Sequence, residues 1–262
     1  MTSTPFSTMR ELRTFTVLLG RELMSYFYSP IGYVVMCFFL LAAGFDFYSG
    51  ISAVNQGPQE VTVLEIAFNM ILFWIPMLLI FPLITMRTYA DEFRMGTFEA
   101  LTTAPVRDLQ VVLSKFFGAF FFYCILWLPS ILYFVAFQYI SGKPAAVSNG
   151  AYFGAYLMLF LIGMFYISIG CLASALTTEQ INAAIIAFVI IFGFFILGLV
   201  AMIRNVTDPD VINLISYFSA VNHMGDFSRA IIDTRPIVWY VSMTILVLAI
   251  NFQVFQYRKW KA

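Results

Sequence analysis

Residues 86–105 read MRTYADEFRMGTFEALTTAP, a short stretch in which charged residues of both signs separate two long apolar runs. The composition of the chain explains why this interruption matters, because 61% of the 262 residues are hydrophobic and only 11% are charged. A soluble domain could not cover so much apolar surface with so few charges, so the composition indicates an integral membrane protein. The formal net charge is zero, so the overall charge does not point to nucleic acid or to an acidic ligand.

Six apolar segments are long enough to cross a bilayer, which takes about 20 helical residues. The third segment is longer than a span requires and contains Pro129, so we expect a kink or an interfacial extension there. The sequence therefore predicts an all-α membrane protein with six transmembrane helices, organised as a single domain over residues 1–262. The predicted spans cover residues 31–49, 66–86, 109–139, 151–176, 181–203 and 237–257.

The distribution of Lys and Arg predicts the orientation of these spans. Basic residues are concentrated before span one, between spans two and three and at the C-terminus, whereas the alternate loops hold few. The positive-inside rule then places both termini in the cytoplasm, which agrees with an even number of spans. Lys115 lies just inside span three, and we expect its ammonium group to extend to water at the inner interface.

Two further segments are amphipathic but too polar to span. Within residues 1–30, apolar residues recur at helical spacing between residues 6 and 27, which predicts an N-terminal helix lying along the inner membrane surface. Within residues 207–235, Asp208 is placed to cap a helix and an apolar stripe follows it. A break near residues 223–226 leads us to predict short helices at the outer leaflet.

The motifs of several enzyme classes do not occur in the sequence. There is no GxxxxGK[ST] loop for nucleotide phosphates, no GxSxG nucleophile elbow and no HExxH zinc motif. Cys37, Cys124 and Cys171 are isolated in apolar runs, so we expect no metal site and interpret all three as small buried residues.

Ionisable residues are nearly absent from the predicted spans. Asp46 and Glu65 lie near span ends, where we interpret them as solvated at the interface; a role in a substrate exit is the alternative. We interpret His223 as an exposed or hydrogen-bonded loop residue rather than a ligand. A secondary carrier or a channel would need a titratable or polar path, and an intramembrane enzyme would need converging catalytic groups. The sequence provides neither, so these remain the less favoured alternatives.

Residues 87–105 combine features that a loop needed only for topology would not require. Their aromatic and leucine side chains recur at three- and four-residue spacings, which predicts one apolar helix face. Acidic residues are mixed with Arg87 and Arg94, although a pure topology signal would need only the basic ones. We expect Gly96-Thr97 to bend the helix and Pro105 to end it. The segment therefore has the character of a docking surface, with an ordinary topology loop as the alternative.

The motif Glu92-x-x-x-Gly96-Thr97-x-Glu99-x-Leu101-x-x-x-Pro105 resembles the pattern E-x-x-x-G-T-x-E-x-L-x-x-x-P in the permease subunits of ABC-2-type transporters. The resemblance extends over nearly the whole chain, from the N-terminal amphipathic helix through the six spans to the basic C-terminus. Residues 219–233, SAVNHMGDFSRAIID, are similar to the outer segment of the branch associated with gliding motility and other cell-envelope systems. Ala230 departs from that pattern, because the family usually has glycine at this position.

The resemblance implies a function that the residues alone do not give. Residues 87–105 would form a cytosolic coupling helix that docks on a separate ATP-binding cassette subunit, and that partner would bind ATP and Mg²⁺. This chain would then hold no cofactor and no catalytic residue. It would work with a second permease copy or a paralogue, and with a periplasmic accessory protein in some systems, in a bacterial inner membrane. The complex would either export a substrate or transmit force. By resemblance, the coupling interface comprises Asp91, Glu92, Phe93, Gly96, Thr97, Phe98, Glu99, Leu101 and Pro105.

Overall fold

The computed structural model describes residues 5–55, 61–98, 106–142, 144–202 and 217–261, and this part of the chain is almost entirely helical. Long apolar runs favour helices here, since a helix satisfies all of its backbone groups within one segment. The helices of the described residues are α1 Pro5–Tyr28, α2 Pro30–Asn55, α3 Val63–Asn69, α4 Ile71–Thr85, α5 Ala90–Met95, α6 Asp108–Ser141, α7 Asn149–Leu176, α8 Gln180–Met202, α9 Ala220–Ser228 and α10 Thr234–Lys261.

Six segments are long and apolar enough to cross a membrane, which confirms the predicted number of spans. Helix α7 is the central one: 78% of its most apolar window is buried inside the protein, against 22–56% for the other five. It packs against α4, α6, α8, α9 and α10. The candidate segments are Pro30–Asn55, Ile71–Met95, Asp108–Ser141, Asn149–Leu176, Gln180–Leu199 and Thr234–Trp260; the second of them includes α5 and the turn before it, because its long helix, α4, ends at Thr85.

The second predicted span is not one continuous helix. The helix is interrupted at Met70, which has extended backbone angles and separates the short helix α3 from α4. Asn69 stabilises this interruption, because its side-chain amide donates to the carbonyl of Glu65 at 2.7 Å and to Ser228 Oγ at 3.2 Å. The short helix thus packs on α9 instead of continuing the line of α4, so the prediction of a single helix over 66–86 is wrong at its start.

Helix α6 runs without interruption through Pro129. Its 34 residues span about 51 Å at 1.5 Å per residue, well beyond the hydrocarbon thickness of about 30 Å. The predicted interfacial extension of span three is consistent with this length. The helix ends where Gly142 adopts a left-handed conformation with φ of +67°, which is accessible to glycine without a steric penalty.

Helix α1 forms over the segment predicted to be an N-terminal helix, and it packs along α6. The ring of Tyr26 stacks on Phe122 with 4.7 Å between centroids, and Phe15 meets Phe117 edge-on at 6.4 Å. Gly118 allows the close approach, because a Cβ at that position would collide with the side chain of Glu22. The orientation of α1 along the inner membrane surface stays a prediction.

The segment between spans five and six contains a single helix in its described part, residues 217–233. Helix α9 runs through residues 223–226, so the predicted break there is wrong; Ser219 caps its start by accepting from the Asn222 N–H at 3.2 Å. After α9, Ala230 takes a left-handed conformation with φ of +65°. This is the position at which the resembled family usually has glycine. The predicted cap at Asp208 lies outside the described residues.

Candidate functional site

The loop after α4, residues 86–98, is called the docking loop here. It contains four residues of turn, the short helix α5 and a second turn. Gly96 ends α5 with φ of +69°, so that the Thr97 N–H donates to the Glu92 carbonyl at 3.1 Å. The predicted bend at Gly96-Thr97 is confirmed, because this left-handed turn ends α5. Glu99, Leu101 and Pro105 lie outside the described residues.

The first turn of the docking loop is fixed to the central helix by Ser174 of α7. The backbone N–H groups of Tyr89 and Ala90 donate to Ser174 Oγ at 3.0 and 3.1 Å, and that hydroxyl donates to the Met86 carbonyl at 3.2 Å. Tyr89 and Ala90 are fully buried. One hydroxyl therefore satisfies a carbonyl just after α4 and two N–H groups at the start of α5, none of which has a helical partner.

The second turn of the docking loop is fixed to α10 by aromatic packing. The buried ring of Phe98 contacts Phe255 at 5.4 Å and Phe93 at 4.7 Å between centroids. The guanidinium of Arg258 lies over the Phe93 ring at 4.4 Å. The apolar face predicted from the spacing thus exists, but much of it packs against this chain's own helices.

Lys115 connects the docking loop to α1 and α6. Its Nζ lies 2.8 Å from Glu92 Oε1, 3.3 Å from Glu22 Oε1 and 2.7 Å from the Thr88 carbonyl, and its side chain is only 1% exposed. Arg21 adds a second cation, 3.0 Å from Glu22 and 3.6 Å from Glu92. The prediction that Lys115 reaches water is wrong, because carboxylates from α1 and α5 neutralise it inside the protein.

The outward surface of the docking loop is formed by exposed residues of and after α5. Met95 is 63% exposed, and Arg94, Gly96 and Thr97 are also exposed. Asp91 is half-buried; it accepts a hydrogen bond from Gln180 of α8 and lies 3.8 Å from Arg94. The sequence indicated most of this surface but not Met95, an exposed thioether beside the predicted motif.

Asp46 and Glu65, at the other end of the bundle, are buried instead of solvated. Glu65 forms an ion pair with Arg229, and Asp46 is 6% exposed with no hydrogen-bond partner for its Oδ1. The interpretation of both as interfacially solvated is wrong, because α3, which carries Glu65, packs between α2, which carries Asp46, and α9. The alternative role in a substrate exit stays a prediction.

His223 lies on α9, not in a loop, and is buried. Its Nδ1 is 3.4 Å from Tyr240 Oη, so the predicted hydrogen bond is present. Burial lowers the pKa of His223 to about 4, although the charge of Asp233 acts in the opposite direction. The side chain is therefore held neutral, as expected of a packing residue.

The cysteines differ in burial. Cys171 is buried and Cys124 half-buried, but Cys37 is exposed on α2, so the prediction of burial fails for that residue. Only 22% of the most apolar window of α2 is buried, so most of this helix faces outward. An apolar run alone does not distinguish outward positions from buried ones, which is why the sequence placed Cys37 inside. Across the described ranges, no group of three His, Cys, Asp or Glu residues could hold a metal ion.

A family model described as "ABC-2 family transporter protein" matches residues 51–255, which include the docking loop and five of the six spanning segments in full or nearly so. No curated protein matches the chain.

Proposed function

Because this chain belongs to the ABC-2 family of transporter proteins, and is thus a permease component of an ABC transporter, we propose that it couples ATP hydrolysis by a separate cassette subunit to movement of its own bundle. The work done would be export of a substrate or transmission of force across the membrane. The proposal rests on one observation above all: α5, a short helix whose last residues are exposed, is joined to α1, α6, α7 and α10 by its own side chains and by those of its immediate neighbours.

The proposed coupling interface is the docking loop with the residues that follow it. Arg94, Met95 and Thr97 offer an exposed surface to a partner, while Asp91, Glu92 and Phe93 form its half-buried border. Gly96 would act by ending α5, and Phe98 by holding the loop on α10. Roles for Glu99, Leu101 and Pro105 are carried over from the motif alone.

The partners follow from this assignment. A cassette ATPase would bind ATP and Mg²⁺, and a second permease copy or a paralogue would complete the transmembrane unit. A periplasmic accessory protein belongs to the proposal through the resemblance of residues 219–233 to the gliding-motility branch. The docking loop and both termini would face the cytoplasm of a bacterial inner membrane. Cysteines introduced at Arg94 and at Val147 test this orientation, since impermeant reagent applied from outside should label only the second.

Docking is tested by changing the exposed side chain that the loop offers. Met95→Ala should weaken association with the cassette subunit about tenfold, because interface energy concentrates in a few apolar anchors. Met24→Ala is the matched control, since Met24 is an exposed methionine of α1. Equal co-purification of the cassette subunit with both variants would assign the loop to topology alone. Glu92→Arg is a poorer probe because Glu92 also neutralises Lys115.

Energy coupling has its own test. The purified chain should not hydrolyse ATP, and activity in lipid should appear only when the cassette subunit is added. ATP turnover by the isolated chain, or substrate movement that needs no ATP, would contradict the proposal and favour an enzyme or a carrier.

A further inference from the structure

A cavity of about 570 Å³ lies under α1, between α2, α4, α5 and α6. Its apolar part is lined by Ile31 and Val35 in the first turns of α2 and by Leu83 and Ile84 at the end of α4. Its polar part lies beyond the end of α4. The wall therefore changes from charged to apolar in the direction that leads into the spans. A membrane lipid changes in the same order, from a polar head group to apolar acyl chains. The charged lining residues are Arg21, Glu22, Arg87, Asp91, Glu92 and Lys115.

The polar part contains equal numbers of cations and anions, three of each, so it suits a ligand without net charge. Two of its buried atoms have no hydrogen-bond partner: the donor Arg87 Nε and the acceptor Glu92 Oε2. Asp91 Oδ2 lies 3.9 Å from Arg87 Nε, too far for a hydrogen bond. Lys115 binds the other oxygen of Glu92, Oε1. Both atoms are enclosed by neighbouring side chains, so a ligand reaches them only when the Arg87 and Glu92 side chains turn toward the cavity; they then offer one unused donor and one unused acceptor, both from charged groups.

We propose that this cavity binds the head group of a zwitterionic aminophospholipid, with its phosphate at Arg87 and its ammonium at Glu92. A guanidinium matches the geometry of phosphate oxygens, and Arg21 supplies a second cation in the same lining. The acceptor Glu92 Oε2 requires an N–H, which a primary ammonium has and a quaternary ammonium lacks. The acyl chains would continue along Ile31 and Leu83 toward the bilayer. The lipid would then fill the space between α1 and the docking loop.

The methylation state of the amine tests the wild-type protein without any variant. The full chain in detergent is equilibrated with phosphatidylethanolamine, its monomethyl and dimethyl forms, phosphatidylcholine or phosphatidylglycerol, and retained lipid is counted by native mass spectrometry. Binding should persist while one N–H remains and fall at least fivefold for phosphatidylcholine and phosphatidylglycerol. Equal retention of all five lipids would overturn the proposal. So would equally tight binding of soluble glycerophosphoethanolamine, because the head group alone would then account for the site.

Two arginines of the docking loop make a matched pair for the second test. Both lie within 4 Å of Asp91, but Arg87 lines the cavity and Arg94 is exposed outside it. Arg87→Gln should reduce phosphatidylethanolamine binding at least fivefold, and Arg94→Gln should leave it unchanged. Equal effects of the two substitutions, or no effect of Arg87→Gln, would contradict the placement of the phosphate.

Discussion

Replacing Lys115 by methionine tests whether the buried ion cluster holds the docking loop in place. Methionine keeps the unbranched apolar stem of the side chain, one heavy atom shorter, but removes the charge. The ammonium contacts two carboxylates and one carbonyl at 2.7–3.3 Å and is almost completely buried. Its loss leaves Glu22 and Glu92 facing each other without that cation, so the fold should lose free energy of unfolding.

The loss of free energy of unfolding depends on how deeply the ion pair is buried and on the cation that remains beside the two carboxylates. Removing one partner of a buried ion pair typically costs about 3–5 kcal/mol. Arg21 stays within 3.6 Å of both carboxylates, but its side chain is 56% exposed and compensates only in part. We therefore expect about 3 kcal/mol for Lys115→Met, the lower end of that range. Adding Glu92→Gln should recover some of it, because the uncompensated negative charge is then reduced.

Lys259→Met is the matched control for this change. Lys259 forms an equally close pair, 2.6 Å from Asp108, but its side chain is 34% exposed. Partly solvated pairs contribute about 0–1 kcal/mol, so this variant should be nearly neutral. Unfolding in mixed micelles, followed by tryptophan fluorescence, gives both values. If Lys115→Met costs no more than Lys259→Met, the cluster is not what anchors the loop.

Three further predictions concern the end of the bundle that holds α9. Burial lowers the pKa of His223 to about 4, so as the pH falls below about 6.5 the imidazole becomes protonated in the unfolded chain before it does in the folded one. The free energy of unfolding, measured in micelles, should therefore fall by up to about 3 kcal/mol by pH 4, and His223→Gln should reduce this dependence on pH. Gly154→Ala would push a Cβ into the Phe227 carbonyl and should cost about 1–3 kcal/mol, whereas Gly193→Ala, with open space around it, should cost nothing in the same assay. Ala230→Gly should raise the free energy of unfolding by about 0.5–1 kcal/mol, since the left-handed backbone there strains alanine but not glycine; an unchanged or lower value would contradict the assigned conformation.

The number of spans could be predicted from the sequence because it depends on a local property, the length of each apolar run. The break at Met70 could not, since it depends on an amide of Asn69 that reaches Ser228 from 159 residues away. Nothing in the local sequence distinguishes α3 from the first turns of a span. The same holds for α9, whose continuity past residue 223 follows from packing on α3 and α7.

The docking loop shows the same division between local and distant causes. The spacing of Tyr89, Phe93, Phe98 and Leu101 predicted a common apolar face, and the three aromatic residues form one in the structure. Which surface that face meets is decided by Ser174 and Phe255, from helices far along the chain. A charged residue inside an apolar run, Lys115, was a usable signal for a buried partner, but its partners could not be identified without the packing of α1 against α6.

Helix α7 makes one close contact at each end of the bundle. Ser174 binds the backbone of the docking loop, and Gly154, 20 residues earlier, lies against the Phe227 carbonyl of α9. The separation is about 30 Å at 1.5 Å per residue, which is the thickness of the hydrocarbon core. A displacement of the loop by a partner would therefore reach α9 through one buried helix, without crossing a flexible connection. In a double-mutant cycle, Ser174→Ala and Gly154→Ala should be energetically coupled in the proposed ATP-driven activity, because rigid transmission needs both contacts. They should not be coupled in unfolding, because the two sites are too distant to share packing.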